Sequence, residues 1–308
     1  GKSADLNGFR SIKKIDFYLL GYKGFKCLEA FLGEFGSSRI NFVCAERDKN
    51  IDNDFFEEIS SLCERYELNF IRKNEVRKSK PFEKNTVKFS IGWRWLIEDN
   101  KNLIVFHDSL LPKYRGFAPV VNALINGDDK IGVTAIWACD DYDTGNIIEQ
   151  SSLRVRYPIK IKKAIEILTP LYIEMLIRIS EKIVQNKEII SHEQLEVDAS
   201  YSPWRDERDY TINWSNDAAY IKRFVDAVGK PYSGARTTVN GDEVILEEVE
   251  VLGDVNVVDR EQHVGKIIFL KGANPVVICG QGLLKITAFS DPASGKKPTL
   301  RFRTRFGS

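Results

Sequence analysis

Short runs typical of β-strands alternate with amphipathic runs typical of helices along the first half of the chain. Such alternation predicts βαβ units, which join into a parallel sheet through right-handed crossovers. The predicted strands are residues 15–21, 40–45, 69–71, 88–91, 103–107 and 132–139, and the predicted helices are residues 25–35, 53–66 and 118–126. The sequence therefore predicts an α/β fold with a doubly wound, mostly parallel, Rossmann-like sheet that ends near residue 155.

A long helix and a second domain are expected after this sheet. Apolar residues at helical spacing predict a helix over residues 160–185, bent at Pro170. A later helix over residues 216–228 precedes five or six short β-like runs, which favour a small closed barrel of the oligonucleotide/oligosaccharide-binding (OB) type. The predicted division is a first domain at 1–190, a polar linker at 191–208 and the barrel domain at 209–308.

Composition excludes several classes of protein. Of 308 residues 43% are hydrophobic, and 45 Lys and Arg balance 44 Asp and Glu. This content excludes a disordered chain, and a net charge of +1 provides no global basic field for nucleic acid. We find neither a signal-peptide pattern nor an apolar run near the ~20 residues that a membrane span needs. Five scattered cysteines lack metal or redox spacing, so we expect a cytoplasmic protein without a metal.

The chemical signal is concentrated between residues 106 and 150. His107 ends an apolar strand, and ligands of open α/β sheets bind outside the carboxyl ends of strands. The next strand ends in an acidic loop that contains Asp143, which we place at the same edge of the sheet. A carboxylate beside an imidazole fixes its tautomer and raises its basicity, which suits proton transfer. Taken alone, the pair is equally compatible with a structural histidine and an ordinary Asp-Thr-Gly turn.

Longer motifs around this pair carry a resemblance to a known family. They are His107-x-Ser-Leu-Leu-Pro-x-x-Arg-Gly, Pro119, Gly127, Gly132-Val-Thr, and Asp143-x-Gly145 followed by Gln150. Together they resemble the signature of the folate-dependent formyltransferases. Residues 21–24 and Trp214 extend the resemblance, and Pro231-Tyr-Ser-Gly-Ala is similar to the C-terminal domain of methionyl-tRNA formyltransferase.

The resemblance implies that an acceptor amine attacks the formyl carbon of 10-formyltetrahydrofolate and forms a tetrahedral oxyanion. The family uses an Asn, a His and an Asp as catalytic residues. His107 and Asp143 match the last two, whereas Val105 stands where the family has Asn. In the family this Asn donates a hydrogen bond to the formyl oxygen, and losing such a donor costs ~10²–10³ in rate. Either another donor, such as protonated His107 or a backbone amide, replaces it, or the enzyme is slow or inactive.

Folate is expected in the loops beside these residues. The run 90–93 resembles the family's pteridine-binding edge, and in the family the loop that follows the catalytic His lies over the folate. A proline in a tight loop beside an active site suits a cis peptide, so we predict one between Leu111 and Pro112. The folate candidates are Ser90, Gly92, Trp93, Leu111, Pro112, Arg115 and Asp140.

Two acceptors compete: a nucleotide-linked amino sugar, and the aminoacyl end of initiator tRNA. The low net charge and the run Lys113-Tyr-Arg-Gly-Phe-Ala-Pro favour the sugar, and the surrounding sequence resembles formyltransferases of nonulosonic (pseudaminic-type) acid pathways in cell-surface polysaccharide synthesis. Basic residues after Asp291 favour the tRNA, although such a tail is also typical of a solvated end. Val105 leaves open a third alternative, a catalytically impaired homologue that binds folate or a sugar nucleotide.

A sugar nucleotide needs donors for its diphosphate. The turn at residues 21–24 offers glycine backbone, a helix N-terminus and Lys23. The alternative for Lys23 is an exposed lysine in an ordinary turn, and Lys113 and Arg115 are either anion ligands or solvent-facing charges. The acceptor candidates are Tyr22, Lys23, Lys113 and Tyr114. A homodimer is compatible with the sequence, which does not fix the oligomeric state.

Overall fold

Seven strands form the main sheet in the described part of the chain, residues 13–78 and 85–307 of a computed structural model. The strands of the first domain are β1 (Lys14–Leu19), β2 (Ile40–Ala45), β3 (Phe70–Ile71), β4 (Thr86–Ile91), β5 (Leu103–His107), β6 (Arg115–Gly116), β7 (Lys130–Trp137), β8 (Ile147–Arg154) and β9 (Tyr201–Ser202). Strands β6 and β9 form a separate two-stranded sheet, and the other seven form the main sheet. The helices are α1 (Gly21–Phe35), α2 (Phe56–Arg65), α3 (Pro119–Ile125) and α4 (Ile161–Val184), with short 3₁₀ helices at Lys73–Lys78, Glu196–Asp198 and Glu207–Tyr210.

The strand order of the main sheet is β3-β2-β1-β4-β5-β7-β8. The first five of these strands are parallel, whereas β7 is antiparallel to both β5 and β8. The predicted α/β class with a mostly parallel sheet is confirmed. Strand β8 was not predicted, because its polar residues alternate with only partly buried ones and lack the long apolar run of a central strand.

The two faces of the sheet are covered differently. Helices α1, α2 and α4 pack on one face, where their apolar residues join Phe17, Phe89 and Phe106 in one core. The opposite face carries the alternating residues of the same strands, including Val105 and His107. In the described ranges this second face is covered by loops and one 3₁₀ helix rather than by an α-helix. We call it the loop-covered face.

Helix α1 begins four residues earlier than the predicted start at residue 25. Gly21 follows β1 almost directly and has a positive φ of 77°, so the chain turns into the helix at once. Lys23 therefore lies in the first helical turn rather than in a preceding loop. Helix α4 extends almost over the predicted range and contains Pro170 in its interior.

The second domain consists of a helix and a five-stranded antiparallel sheet. Its elements are α5 (Ala218–Val228), β10 (Ala235–Val239), β11 (Asp242–Leu252), a 3₁₀ helix (Arg260–Gln262), β12 (Ile267–Lys271), β13 (Asn274–Ile278) and β14 (Leu283–Ser290). The strand order is β10-β11-β14-β13-β12. Phe306 bridges to Val239 and Arg305 bridges to Lys266, so the basic tail connects the two sides of this sheet. The basic side chains of the tail are all exposed, as expected for a solvated end, whereas its backbone is ordered against the sheet.

The two domains share an apolar core. Val121 of α3 and Leu168 of α4 belong to the same buried cluster as Phe224 of α5 and Val277 of β13. Residues 191–208, the predicted linker, pack along the first domain, where β9 pairs with β6 in a parallel arrangement. Polar groups of this segment, among them Gln194 and Ser200, form hydrogen bonds with the loop that follows His107.

No helix within residues 13–78 and 85–307 combines the length and apolar character needed to cross a membrane. No group of three potential metal ligands occurs within those ranges. All five cysteines are free, and only Cys139 is exposed.

Candidate active site

His107 and Asp143 come together on the loop-covered face. The distance from His107 Nδ1 to Asp143 Oδ1 is 3.6 Å, which is ion-pair distance but longer than a hydrogen bond. His107 Nε2 lies 2.8 Å from the carbonyl oxygen of Tyr114, which only accepts, so Nε2 carries the hydrogen. Nδ1 is therefore the nitrogen that can take up a proton. Both side chains are buried, at 8% and 10% exposure, so water weakens their interaction little.

Asp143 reaches His107 by a different route from the predicted one. In the antiparallel pairing of β5 with β7, Trp137 lies beside Ile104 and Thr134 lies beside His107. The end of β7 is therefore at the opposite edge from His107, and the prediction of a shared strand edge is wrong. Residues 138–146 bring the carboxylate back. Gly145 lies so close to the Trp137 carbonyl that any Cβ would clash with it, which accounts for the glycine of the Asp-x-Gly motif.

Asp143 is held from two directions. Its Oδ2 accepts a hydrogen bond of 2.7 Å from the Gly116 amide, in the loop that follows His107. Its backbone carbonyl accepts one of 2.7 Å from the side chain of Gln194. The position of the carboxylate thus depends both on the motif loop and on the segment that was predicted to be a linker.

Gln194 is a buried residue that the sequence analysis missed. Its Nε2 donates to the carbonyls of Asp143 and Gly145, at 2.7 and 2.8 Å. Its Oε1 accepts from Arg115 Nε and Nη2, at 3.1 and 2.9 Å. Both ends of the amide are therefore used, and they connect the two loops of the site. One glutamine in a charged segment has no periodicity or spacing that would have revealed it.

Arg115 was predicted to contact the folate, and in the structure its guanidinium already has partners within the protein. Its guanidinium is 1% exposed and donates to Gln194, to both carboxylate oxygens of Glu196 at 2.9 and 2.7 Å, and to the Tyr201 hydroxyl at 2.9 Å. These bonds occupy all five N–H groups. The Glu196 carboxylate raises the pKa of Arg115, and Arg115 lowers the pKa of Glu196. Arg115 therefore joins the motif loop to residues 194–201 instead of facing a ligand.

We expect Gln194→Leu to lower kcat about tenfold and to leave the KM of both substrates nearly unchanged. Leucine cannot hold the Asp143 and Gly145 carbonyls, and each hydrogen bond of this kind contributes ~1 kcal/mol. Steady-state kinetics of formyl transfer measure the effect. Glu193→Ala, an exposed change at the adjacent position, serves as the control. A KM effect without a kcat effect would contradict this positioning role.

The folate candidates lie near the loop-covered face. Ser90 pairs with Val105 across β4 and β5 and therefore shares its face. Gly92 has a φ of 72°, and a Cβ there would clash with the Leu20 carbonyl oxygen. Trp93 Nε1 is buried and has no hydrogen-bond partner in the described part of the chain. The Gly92 backbone thus lies next to Trp93, whose indole N–H is an unsatisfied donor in the described ranges.

The remaining folate candidates are on two loops. The peptide between Leu111 and Pro112 is cis, as predicted. Asp140 is exposed and accepts a hydrogen bond of 3.3 Å from Asn100. The roles of these residues toward folate stay predictions.

Val105 faces the same side of the sheet as His107. It packs against an apolar cluster of Leu111, Ile136 and Ile147. At this position the family has an asparagine, whereas this chain has an apolar side chain with apolar neighbours. No other residue of this cluster offers a side-chain donor to an oxyanion.

The acceptor candidates fall into two groups. Lys23 pairs with Asp108, and its ammonium lies 5.1 Å from the centre of the Tyr172 ring, while Tyr22 packs edge-on against Phe55. Lys113 and Tyr114 both face Asp128: the Lys113 ammonium is exposed at 3.6 Å, and the Tyr114 hydroxyl donates at 2.7 Å. Burial raises the pKa of Tyr114 to about 12. Lys23 is thus already engaged within the protein, and the acceptor roles of all four residues stay predictions.

Two family models match the chain. The model described as formyl transferase matches residues 94–164, which include His107 and Asp143. The model described as formyl transferase, C-terminal domain, matches residues 206–300. The chain belongs to the formyltransferase family. The order of the two matches, site domain first, is that of the two domains of the fold.

Curated relatives carry the name methionyl-tRNA formyltransferase. That of Syntrophomonas wolfei is 30% identical over 200 residues, which are 65% of this chain and 62% of the relative. That of Nitrosomonas europaea is 32% identical over 196 residues, 64% of this chain and 59% of the relative. The chain thus covers about three fifths of the length of these formyltransferases.

Solved formyltransferases share the fold. A sugar 3N-formyl transferase, WlaRD, crystallised with dTDP and 5-N-formyl-THF, aligns with a TM-score of 0.64 at 16% identity, over 90% of this chain and 98% of its own. The Helicobacter canadensis N-formyltransferase, in complex with folinic acid and dTDP-3-aminofucose, gives 0.65 at 14%, over 89% and 99%. Methionyl-tRNA formyltransferase of Clostridium thermocellum gives 0.54 at 17%, over 77% and 93%.

Proposed function

We propose that the protein transfers the formyl group of 10-formyltetrahydrofolate to the amine of a nucleotide-linked amino sugar. The observation that carries the proposal is the buried pair of His107 and Asp143, within the matched formyltransferase segment. The pair lies on the loop-covered face, where no α-helix blocks the approach of a ligand in the described ranges.

His107 and Asp143 account for the movement of the proton. The folate derivative supplies the formyl group: the acceptor nitrogen bonds to the formyl carbon, the bond to N10 breaks, and the proton lost by the amine is balanced by one gained at N10. Nδ1 of His107 accepts the amine proton, because Nε2 is committed to the Tyr114 carbonyl. Asp143 stabilises the resulting imidazolium from 3.6 Å. General acid–base catalysis of this kind contributes ~10²–10⁴ in rate.

The residues around Trp93 fit a folate heterocycle. A buried donor without a partner costs roughly 1–3 kcal/mol, and the indole Nε1 is such a donor within the described ranges. A pteridine acceptor would satisfy it. The neighbouring Gly92 is required by the fold, because its positive φ and the Leu20 carbonyl oxygen leave no room for a Cβ.

The choice of a sugar acceptor has two supports. A net charge of +1 provides little attraction for a polyanionic tRNA, whose binding depends on many cationic contacts. Two structures that share the fold along nearly their whole length hold dTDP or a dTDP-linked amino sugar. The nonulosonic-acid pathway, a cytoplasmic location and a homodimer stay predictions from the sequence.

Methionyl-tRNA formyl transfer is the second candidate, because the curated relatives described above carry that name. The test incubates the protein with 10-formyltetrahydrofolate and follows the release of tetrahydrofolate. One arm contains a panel of UDP- and dTDP-linked amino sugars, and the other contains methionyl-tRNA. We expect release only in the sugar arm. Release with methionyl-tRNA alone would overturn the sugar proposal, and release in neither arm would favour the impaired homologue.

We expect Val105→Asn to raise kcat about tenfold and to lower thermal stability slightly. The new amide would donate to the oxyanion, an interaction worth up to ~10²–10³ in rate, but would enter an apolar cluster. Single-turnover rates and thermal melts measure the two effects, with Val105→Ala as the control for lost packing. An unchanged or lower rate would mean that another group already holds the oxyanion.

A further inference from the structure

A cavity of about 560 Å³ opens beside the candidate site. It lies between the loop that follows His107, the residues after α3, and the adjoining ends of β7 and β8. Tyr114, whose carbonyl holds His107, is part of its wall. Neither catalytic candidate lines the cavity, so it is a separate space that shares one loop with them.

The wall of this cavity carries both signs of charge. Its charged residues are Lys113, Lys130, Arg154, Asp108, Asp128 and Asp129. Asp108 is paired with Lys23. Asp128 accepts from the Tyr114 hydroxyl and lies 3.6 Å from the Lys113 ammonium. Two of the three carboxylates are thus already compensated by groups of the protein.

Lys130 and Arg154 are placed differently. They face each other directly across the antiparallel strands β7 and β8. Directly opposed residues have Cβ atoms roughly 5 Å apart, and like charges in that position destabilise a sheet. Neither side chain has an ion pair or hydrogen bond in the described part of the chain, and both are exposed at the cavity wall. An anion between them would turn this repulsion into attraction on both sides.

We propose that Lys130 and Arg154 bind the diphosphate of the acceptor nucleotide at this cavity, a proposal that rests on the proposed function. A diphosphate carries two negative charges, and a guanidinium beside an ammonium offers it a fork of donors and a mobile point charge. Lys113, on the loop that follows His107, is a third cation in the same wall. The acceptor then reaches the site along the loop that contains Tyr114, rather than across the N-terminus of α1. Folate carries carboxylates of its own, so the experiment includes it.

The test is calorimetric titration at low ionic strength, with UDP, dTDP and GDP as probes and tetrahydrofolate in a separate arm. We expect Lys130→Ala and Arg154→Ala each to weaken binding of the preferred nucleoside diphosphate about tenfold, because each removes one charge-assisted contact. Asp129→Asn should tighten it a few-fold by removing a repulsive charge. Tetrahydrofolate affinity should stay unchanged. Lys187→Ala, an exposed lysine outside the cavity wall, is the control.

Each other outcome overturns the proposal in an identifiable way. Weaker binding of tetrahydrofolate alone would assign the cationic pair to the folate carboxylates. Weaker nucleotide binding in Lys23→Ala, but not in the two cavity variants, would place the diphosphate at the N-terminus of α1. Nucleotide binding that is unaffected in every variant would overturn the site and leave the proposed function intact. Failure of the wild-type protein to bind any of the three nucleotides would overturn both.

Discussion

His107→Asn should lose nearly all formyl transfer and keep the fold. Asparagine remains polar, but its amide lies where Nδ1 was, so the Tyr114 carbonyl loses its partner at Nε2, and we expect a small loss of stability without loss of the fold. Asparagine cannot take a proton from the amine at neutral pH, and that step is worth ~10²–10⁴ in rate. The expected result is a fall in kcat of at least about a hundredfold at saturating substrates, with a melting temperature that is only slightly lower.

The matched control is His192→Asn. The His192 side chain is exposed, and its two contacts with Ile147 are made by the backbone, which the substitution retains. This variant should be as active as the wild type. Retention of more than about a tenth of the wild-type rate in His107→Asn would remove His107 from the proton-transfer role.

Periodicity was enough to locate most elements of the main sheet, but not to orient them. Residues 130–137 have a buried apolar pattern that fits a parallel or an antiparallel strand equally well. The direction of β7 depends on its pairing with β8, and the polar alternation of β8 resembles that of an exposed loop. His107 and Asp143 nevertheless lie 3.6 Å apart, because residues 138–146 bring the carboxylate back toward His107.

The site contacts that sequence reasoning missed join residues that are distant along the chain. Arg115 and Gln194 are separated by 79 positions, and each resembles an exposed polar residue in isolation. A charged segment that faces water and one that satisfies a buried guanidinium have the same composition. Only the three-dimensional contact reveals that residues 194–201 belong to the site.

Arg115→Ala should lower the free energy of unfolding by roughly 2–5 kcal/mol, because it leaves the buried Gln194 oxygen without its donor and opens a cavity. Urea denaturation measures it, as a lower midpoint with an unchanged slope. Glu193→Gln is the matched control: it also removes one carboxylate of the same segment, but Glu193 is exposed and is not a partner of Arg115, so stability should change little.

The kinetics of the same variant decide between two roles for Arg115. If Arg115 holds the loop, Arg115→Lys should restore part of the stability but not the full kcat, because an ammonium cannot reproduce five donors in a fixed plane. The KM for the folate should then change little in either variant. A folate KM that rises strongly, with stability unchanged, would instead mean that the guanidinium leaves its internal partners and binds the folate directly, as the sequence motif first suggested.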